Sequence, residues 1–75
     1  MPVRKKFNET DLNFLEDQLG ETHSDLIIAT NTIVEFLASN GYGVDKSAAQ
    51  ALAMDAPGLS LKELEQRLEA MALEN

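Results

Sequence analysis

Thr22, His23, Ser24 and Asp25 put two hydroxyls, the chain's single imidazole and a carboxylate side by side, so nucleophilic chemistry is tested there first. A hydroxyl nucleophile needs its base within hydrogen-bond reach and a third group to orient that base. On a helix, adjacent side chains diverge by about 100°, so His23 and Ser24 do not face one another. These residues read instead as the polar start of a helix, with His23 on the surface. Metal chemistry needs clustered ligands, and HExxH, CxxC and the EF-hand loop are all absent. Glu63, Glu65 and Glu69 read as a solvated helix face. Gly20, Gly41, Gly43 and Gly58 stand at helix ends, and neither GxGxxG nor GxxxxGK occurs to cradle a phosphate. The expectation is no enzyme, no metal and no cofactor.

What is left over is binding chemistry. On the second helix, Ile28, Thr32 and Phe36 recur at i, i+4 and i+8, which makes a ridge beside the core stripe. On the first helix, Phe14 points away from Leu12, Leu15 and Leu19. Single exposed apolar residues mean little, but three large ones in so small a domain point to an interface. Phe14, Ile28 and Phe36 are therefore the expected apolar contacts of a partner. Arg4, Lys5 and Lys6 form a basic cluster ahead of the first helix and could meet an acidic patch on that partner. The competing reading makes the ridge part of the protein's own core and the cluster a solvated terminus.

Four helices must position these residues. The first runs over about 9–19: Asn8 is the N-cap, Glu9 and Asp11 suit the positive end of the dipole, and Gly20 stops it. The second runs over about 23–39, capped by Thr22 and ended by Asn40-Gly41. Its apolar stripe is Leu26, Ile27, Thr30, Ile33, Val34 and Leu37, at helical rather than strand spacing. Tyr42 and Val44 anchor the loop that follows. The third, about 46–54, starts at Asp45 and is rich in alanine, so it can approach its neighbours closely. The fourth, about 61–72, carries the clearest local signal. Ser60 and Glu63 form a capping box, and Leu59 and Leu64 a hydrophobic staple. Glu63 and Arg67 can pair at i, i+4, and fraying is expected after Ala72. The fold expected is an all-α bundle of four short helices at 8–75 behind a flexible basic tail at 1–7.

Size and charge bound the function. The chain has 75 residues, no cysteine, and 13 acids against 6 bases. Neither a disulfide nor a zinc cluster can support so small a core. No apolar run approaches the ~20 residues that span a bilayer, and no signal sequence is legible, so a cytoplasmic location is expected. From Phe7 onward the chain is strongly acidic, which repels nucleic-acid backbones and anionic lipid. Direct nucleic-acid and membrane binding are not expected. The partner is a protein, with a second copy of the chain, hence a homodimer, as one candidate.

Two family resemblances bear on the fold. Leu37, the Asn40-Gly41-Tyr42 loop, Ala51-Leu52 and the 61–68 segment LKELEQRL resemble the ubiquitin-associated domain, with Asn40 where that family has Met. This implies a three-helix packing. Leu19-Gly20, Ser24 and Tyr42-Gly43-Val44 follow the order of similar fragments in acyl carrier proteins, which carry phosphopantetheine on the serine of Asp-Ser-Leu. Here the local sequence is His23-Ser24-Asp25, so that motif is absent. The function expected is a small, acidic, non-enzymatic protein-interaction module of adaptor, regulator or inhibitor type. The alternatives are an acidic mimic of nucleic acid and a divergent carrier-like or ubiquitin-associated-like domain.

Overall fold

The computed structural model describes residues 7–74, and the expected Arg4–Lys6 contacts lie outside them. Four helices follow one another: α1 (Glu9–Glu21), α2 (Leu26–Ser39), α3 (Lys46–Asp55) and α4 (Leu61–Met71). The all-α bundle expected from periodicity is what the chain forms. Asn8, Asp45 and Ser60 cap α1, α3 and α4, each accepting a backbone N–H of the first turn. At Ser60 the box is reciprocal. Its hydroxyl accepts from the Glu63 N–H (3.2 Å), and the Glu63 carboxylate accepts from the Ser60 N–H (3.0 Å).

The junction of α1 and α2 departs from expectation. Gly20 does not stop α1, which continues to Glu21. The Thr22 hydroxyl donates back to the Gln18 carbonyl (2.9 Å), and His23 Nδ1 donates to the Gly20 carbonyl (2.7 Å). The residues assigned to the start of α2 thus bond to carbonyls at the end of α1: Thr22 adds its hydroxyl to its own backbone N–H on Gln18, and His23 supplies a donor to Gly20. The cap of α2 is Asp25, whose carboxylate accepts from the Ile28 N–H (3.2 Å). Thr22 and Asp25 are both good caps by type; the two-residue extension of α1 consumes the first and leaves the second.

At the far end of α2 the Asn40 side-chain amide donates to the Phe36 carbonyl (2.8 Å). Gly41 then turns the chain at φ 87°, in the left-handed region that glycine enters without a Cβ penalty. Tyr42–Gly43 (β1) pairs antiparallel with Leu73–Glu74 (β2), Tyr42 opposite Glu74 and Gly43 opposite Leu73. Where fraying was expected after α4, the chain extends at Ala72 and clips onto the loop after α2.

The core gathers Leu12, Leu15 and Leu19 from α1, Ile33 and Leu37 from α2, Leu52 from α3, and Leu64 and Leu68 from α4. α2 packs most extensively on α3, where Ala49 and Ala53 allow close approach. Phe7, assigned to the tail, is 6% exposed. Its ring lies 5.5 Å from that of Phe36 and 5.8 Å, edge-on, from that of Tyr42. Arg67 does not pair with Glu63, which the capping box occupies. It reaches Asp55 instead, at 3.0 Å across the α3–α4 corner. Both partners are well exposed, so this pair contributes little.

Three substitutions check this architecture by urea unfolding. Gly20→Ala lies inside a helix with nothing within 4 Å of the new Cβ, and is expected to stabilise by about 0.5–1 kcal/mol. Gly41→Ala also meets no atom, yet it forces a side chain into the left-handed region at a cost of about 1 kcal/mol. Ser60→Ala removes the cap of α4 and costs about 1 kcal/mol.

The capping box also sets a pH dependence. The Ser60 N–H, and secondarily its hydroxyl, hold the Glu63 carboxyl below its ordinary pKa. A depressed pKa stabilises the fold above the unfolded-state value, and that contribution is lost as pH falls through the folded value. Glu63→Gln is therefore expected to flatten the acid limb of stability against pH, read by circular dichroism melts.

Candidate functional site

The apolar surface of α2 is set by how the helix is rotated in the bundle. Sequence spacing centred its buried stripe on Thr30, but the most buried positions are Ala29, Ile33 and Leu37. Ile33 lies three residues on from Thr30, which at about 100° per residue is a rotation of about 60°. That rotation moves Ile27 out of the stripe, where it is 75% exposed, and swings Phe36 inward onto Phe7. Phe36, expected on the flank of the helix as a partner contact with the core as the competing reading, is half-buried and packs against the core. Ile28 stays outside at 49% exposure and Phe14 at 65%.

Between α1 and α2 the surface opens into a groove of about 380 Å³. Asp11, Phe14, Leu15 and Gln18 line it from α1, and Thr32, Glu35 and Phe36 from α2, with Ser39 and Asn40 at the far end. Leu15 is fully buried and Phe36 half-buried, so together they form an apolar floor, while Phe14 stands exposed on one wall. Of the three apolar residues expected to act together, the groove collects Phe14 and Phe36. Ile28 is one turn beyond Thr32 on the same ridge and does not line it. Ile27, Met54 and Leu73 are also exposed, but no shared cavity brings them to this groove.

The charged groups of the groove are acceptors only, while the neutral side chains of Gln18, Ser39 and Asn40 can both donate and accept. Thr32 donates its hydroxyl hydrogen to the Ile28 carbonyl (2.8 Å). Asn40 gives one amide hydrogen to the Phe36 carbonyl, which leaves the other hydrogen and its side-chain oxygen for outside partners. Asp11 and Glu35 add two exposed carboxylates at the rim. The wider field has the same sign. From Phe7 through Asp45, His23 apart, every titrating side chain that carries charge at neutral pH is a carboxylate. The cations Lys46, Lys62 and Arg67 all belong to α3 and α4. The segregation is legible in the sequence as a run of 39 residues, 7–45, without lysine or arginine.

Elsewhere the geometry offers little chemistry. A second cleft of about 240 Å³, between α1 and the 3-10 turn at Ala56–Gly58, is lined by Leu19, Leu59 and Leu64 with Glu16. His23 and Ser24 are exposed in the turn after α1, and the His23 ring is tied to a backbone carbonyl. Among the described residues no group of three or more His, Cys, Asp or Glu side chains could hold a metal ion. No helix of the described residues is long and apolar enough to cross a membrane. No family model, curated protein or solved structure matches the chain.

The two phenylalanines of the groove are expected to separate in a stability measurement. Phe14→Ser touches an exposed wall and should change the unfolding free energy by under about 0.5 kcal/mol. Phe36→Ser unseats Phe7 and should cost about 2 kcal/mol or more in the same urea titration.

Proposed function

We propose that this chain is a non-enzymatic interaction module that docks a protein partner through the groove between α1 and α2. The observation that carries the reading is Phe14, a large aromatic left 65% exposed beside an apolar floor. Aromatic side chains at the rim of an apolar depression are the usual anchors of protein interfaces. A domain this small has few apolar residues to spare, and the packing of the core makes no use of this one. The acids around it would orient the partner and speed encounter more than they would add affinity.

The partner is a different protein rather than a second copy. Two chains of net charge −7 repel, and bringing two acid-rimmed grooves together would stack like charge on like charge. The absence of cysteine fits a reducing compartment, and we place the module in the cytoplasm on that ground.

The test is selection from an unbiased displayed-peptide library on the wild-type protein, with counter-selection on Phe14→Asp. Recovery of sequences that bind wild type at least tenfold more tightly, a difference of about 1.4 kcal/mol, supports the module. If every recovered sequence binds both proteins equally, the groove is not the docking surface. A nucleic-acid mimic would use the same acids without Phe14, so equal binding combined with competition by duplex DNA for a common target would favour that reading instead.

A further inference from the structure

We infer that the occupant of the groove is a cationic amphipathic helix, an inference that rests on the module reading above. The walls decide the backbone of the occupant. Both are helices whose N–H and C=O groups are spent along their own axes, so the groove offers no strand edge. An extended peptide pressed between them would bury its own backbone groups without partners, at a cost per group that side-chain contacts do not recover. A helix brings its backbone already satisfied and contributes side chains alone.

The dimensions decide how much of that helix engages. From Asp11 to Gln18 the α1 wall is about 10 Å long, two helical turns. A helix is itself about 10–12 Å across, so it rides on the groove and lowers only the side chains of one face into it. Apolar residues at i and i+4 of the occupant reach the Leu15–Phe36 floor beside Phe14.

The charge decides the flanks. Asp11 and Glu35 at the rim accept hydrogen bonds and donate none, while Gln18, Ser39 and Asn40 are neutral and serve either way, so the carboxylates alone set the sign of the rim. Lysine and arginine carry donors and no acceptors, so they complement this rim, whereas an acidic helix would meet carboxylates with carboxylates. No cation of residues 7–45 competes for these acceptors.

The experiment titrates the full chain with a designed helical peptide of leucine and lysine, leucines on one face. It is compared with the analogue bearing glutamate for lysine and with the analogue bearing serine for leucine. Binding is followed by amide chemical shifts and by peptide helicity. The expected result is shifts centred on Phe14, Gln18 and Glu35, helicity gained on binding, and at least tenfold weaker binding for both analogues. Phe14→Ser is expected to lose about tenfold. Asp11→Asn with Glu35→Gln is expected to weaken binding severalfold and to reduce its salt dependence between about 20 and 300 mM. Glu35→Gln alone serves if the double variant loses helicity. The inference is overturned by equal binding of the glutamate analogue, by equal binding of the serine analogue, or by shifts away from the groove. A Phe14-dependent dimer in sedimentation overturns it in favour of a second copy. Should the library yield Phe14-dependent sequences that are acidic or extended, this inference fails while the module reading stands. Should it yield none, the module reading fails first.

Discussion

Ile33 and Leu37 retain no solvent exposure because α2 is covered by α3 on one side, by α1 on another, and by Phe7 and Tyr42 toward its end. Without a disulfide or a metal cluster among the described residues, the chain gains its stability from this central burial. The other features follow from the rotation that such covering imposes. Turning Ile33 to the centre places Phe36 at the edge of the buried arc, where Phe7 can reach it. It also places Thr32 and Glu35 on the side facing α1, where they line the groove with Phe36. The groove is a consequence of how α2 is buried.

Local chemistry was legible in the sequence to the extent that it was local. Asn8, Asp45 and the Ser60–Glu63 box were identifiable because a cap and its N–H lie within three residues. Gly41 was identifiable for the same reason, because a left-handed stop needs only the residue that tolerates it. Thr22 and Asp25 were a choice between two good caps. Nothing within a few residues decides whether α1 winds two residues further, and that extension decided it. Phe7 and Leu73 were missed on other grounds. A single aromatic before a helix and two extended residues after one carry no periodicity, and both acquire structure from contacts distant in sequence.

The candidate site divides along the same line. Phe14 was legible as a residue off its helix's stripe, since three leucines fixed the stripe without ambiguity. The face of α2 was harder to read, because Leu26, Ile27, Ile28, Ile33 and Val34 offer bulk in nearly every direction. A helix apolar over so wide an arc does not declare its own rotation. Alanine at position 29 settled it, since a small side chain permits the close approach that the stripe's bulkier members would block. Glu63 and Arg67 illustrate the limit of pairwise spacing rules. The carboxylate had two admissible partners at i−3 and i+4, and a backbone N–H held by the helix cap was the one already in place.

Charge and packing act on the groove in opposite senses, and that opposition explains why it is open. Burying Phe14 would remove apolar surface from water, worth about 25 cal/mol per Å². Closing α1 onto α2 to do so would take the rim carboxylates Asp11 and Glu35 out of solvent, and residues 7–45 supply no lysine or arginine to compensate them. Residues 7–45 therefore cannot cover the aromatic without confining two carboxylates. An external group that carries apolar bulk and positive charge together relieves both constraints in one event. Neither an apolar surface alone nor a cation alone does so, and that joint requirement separates a specific occupant of this groove from general adhesion to an acidic protein.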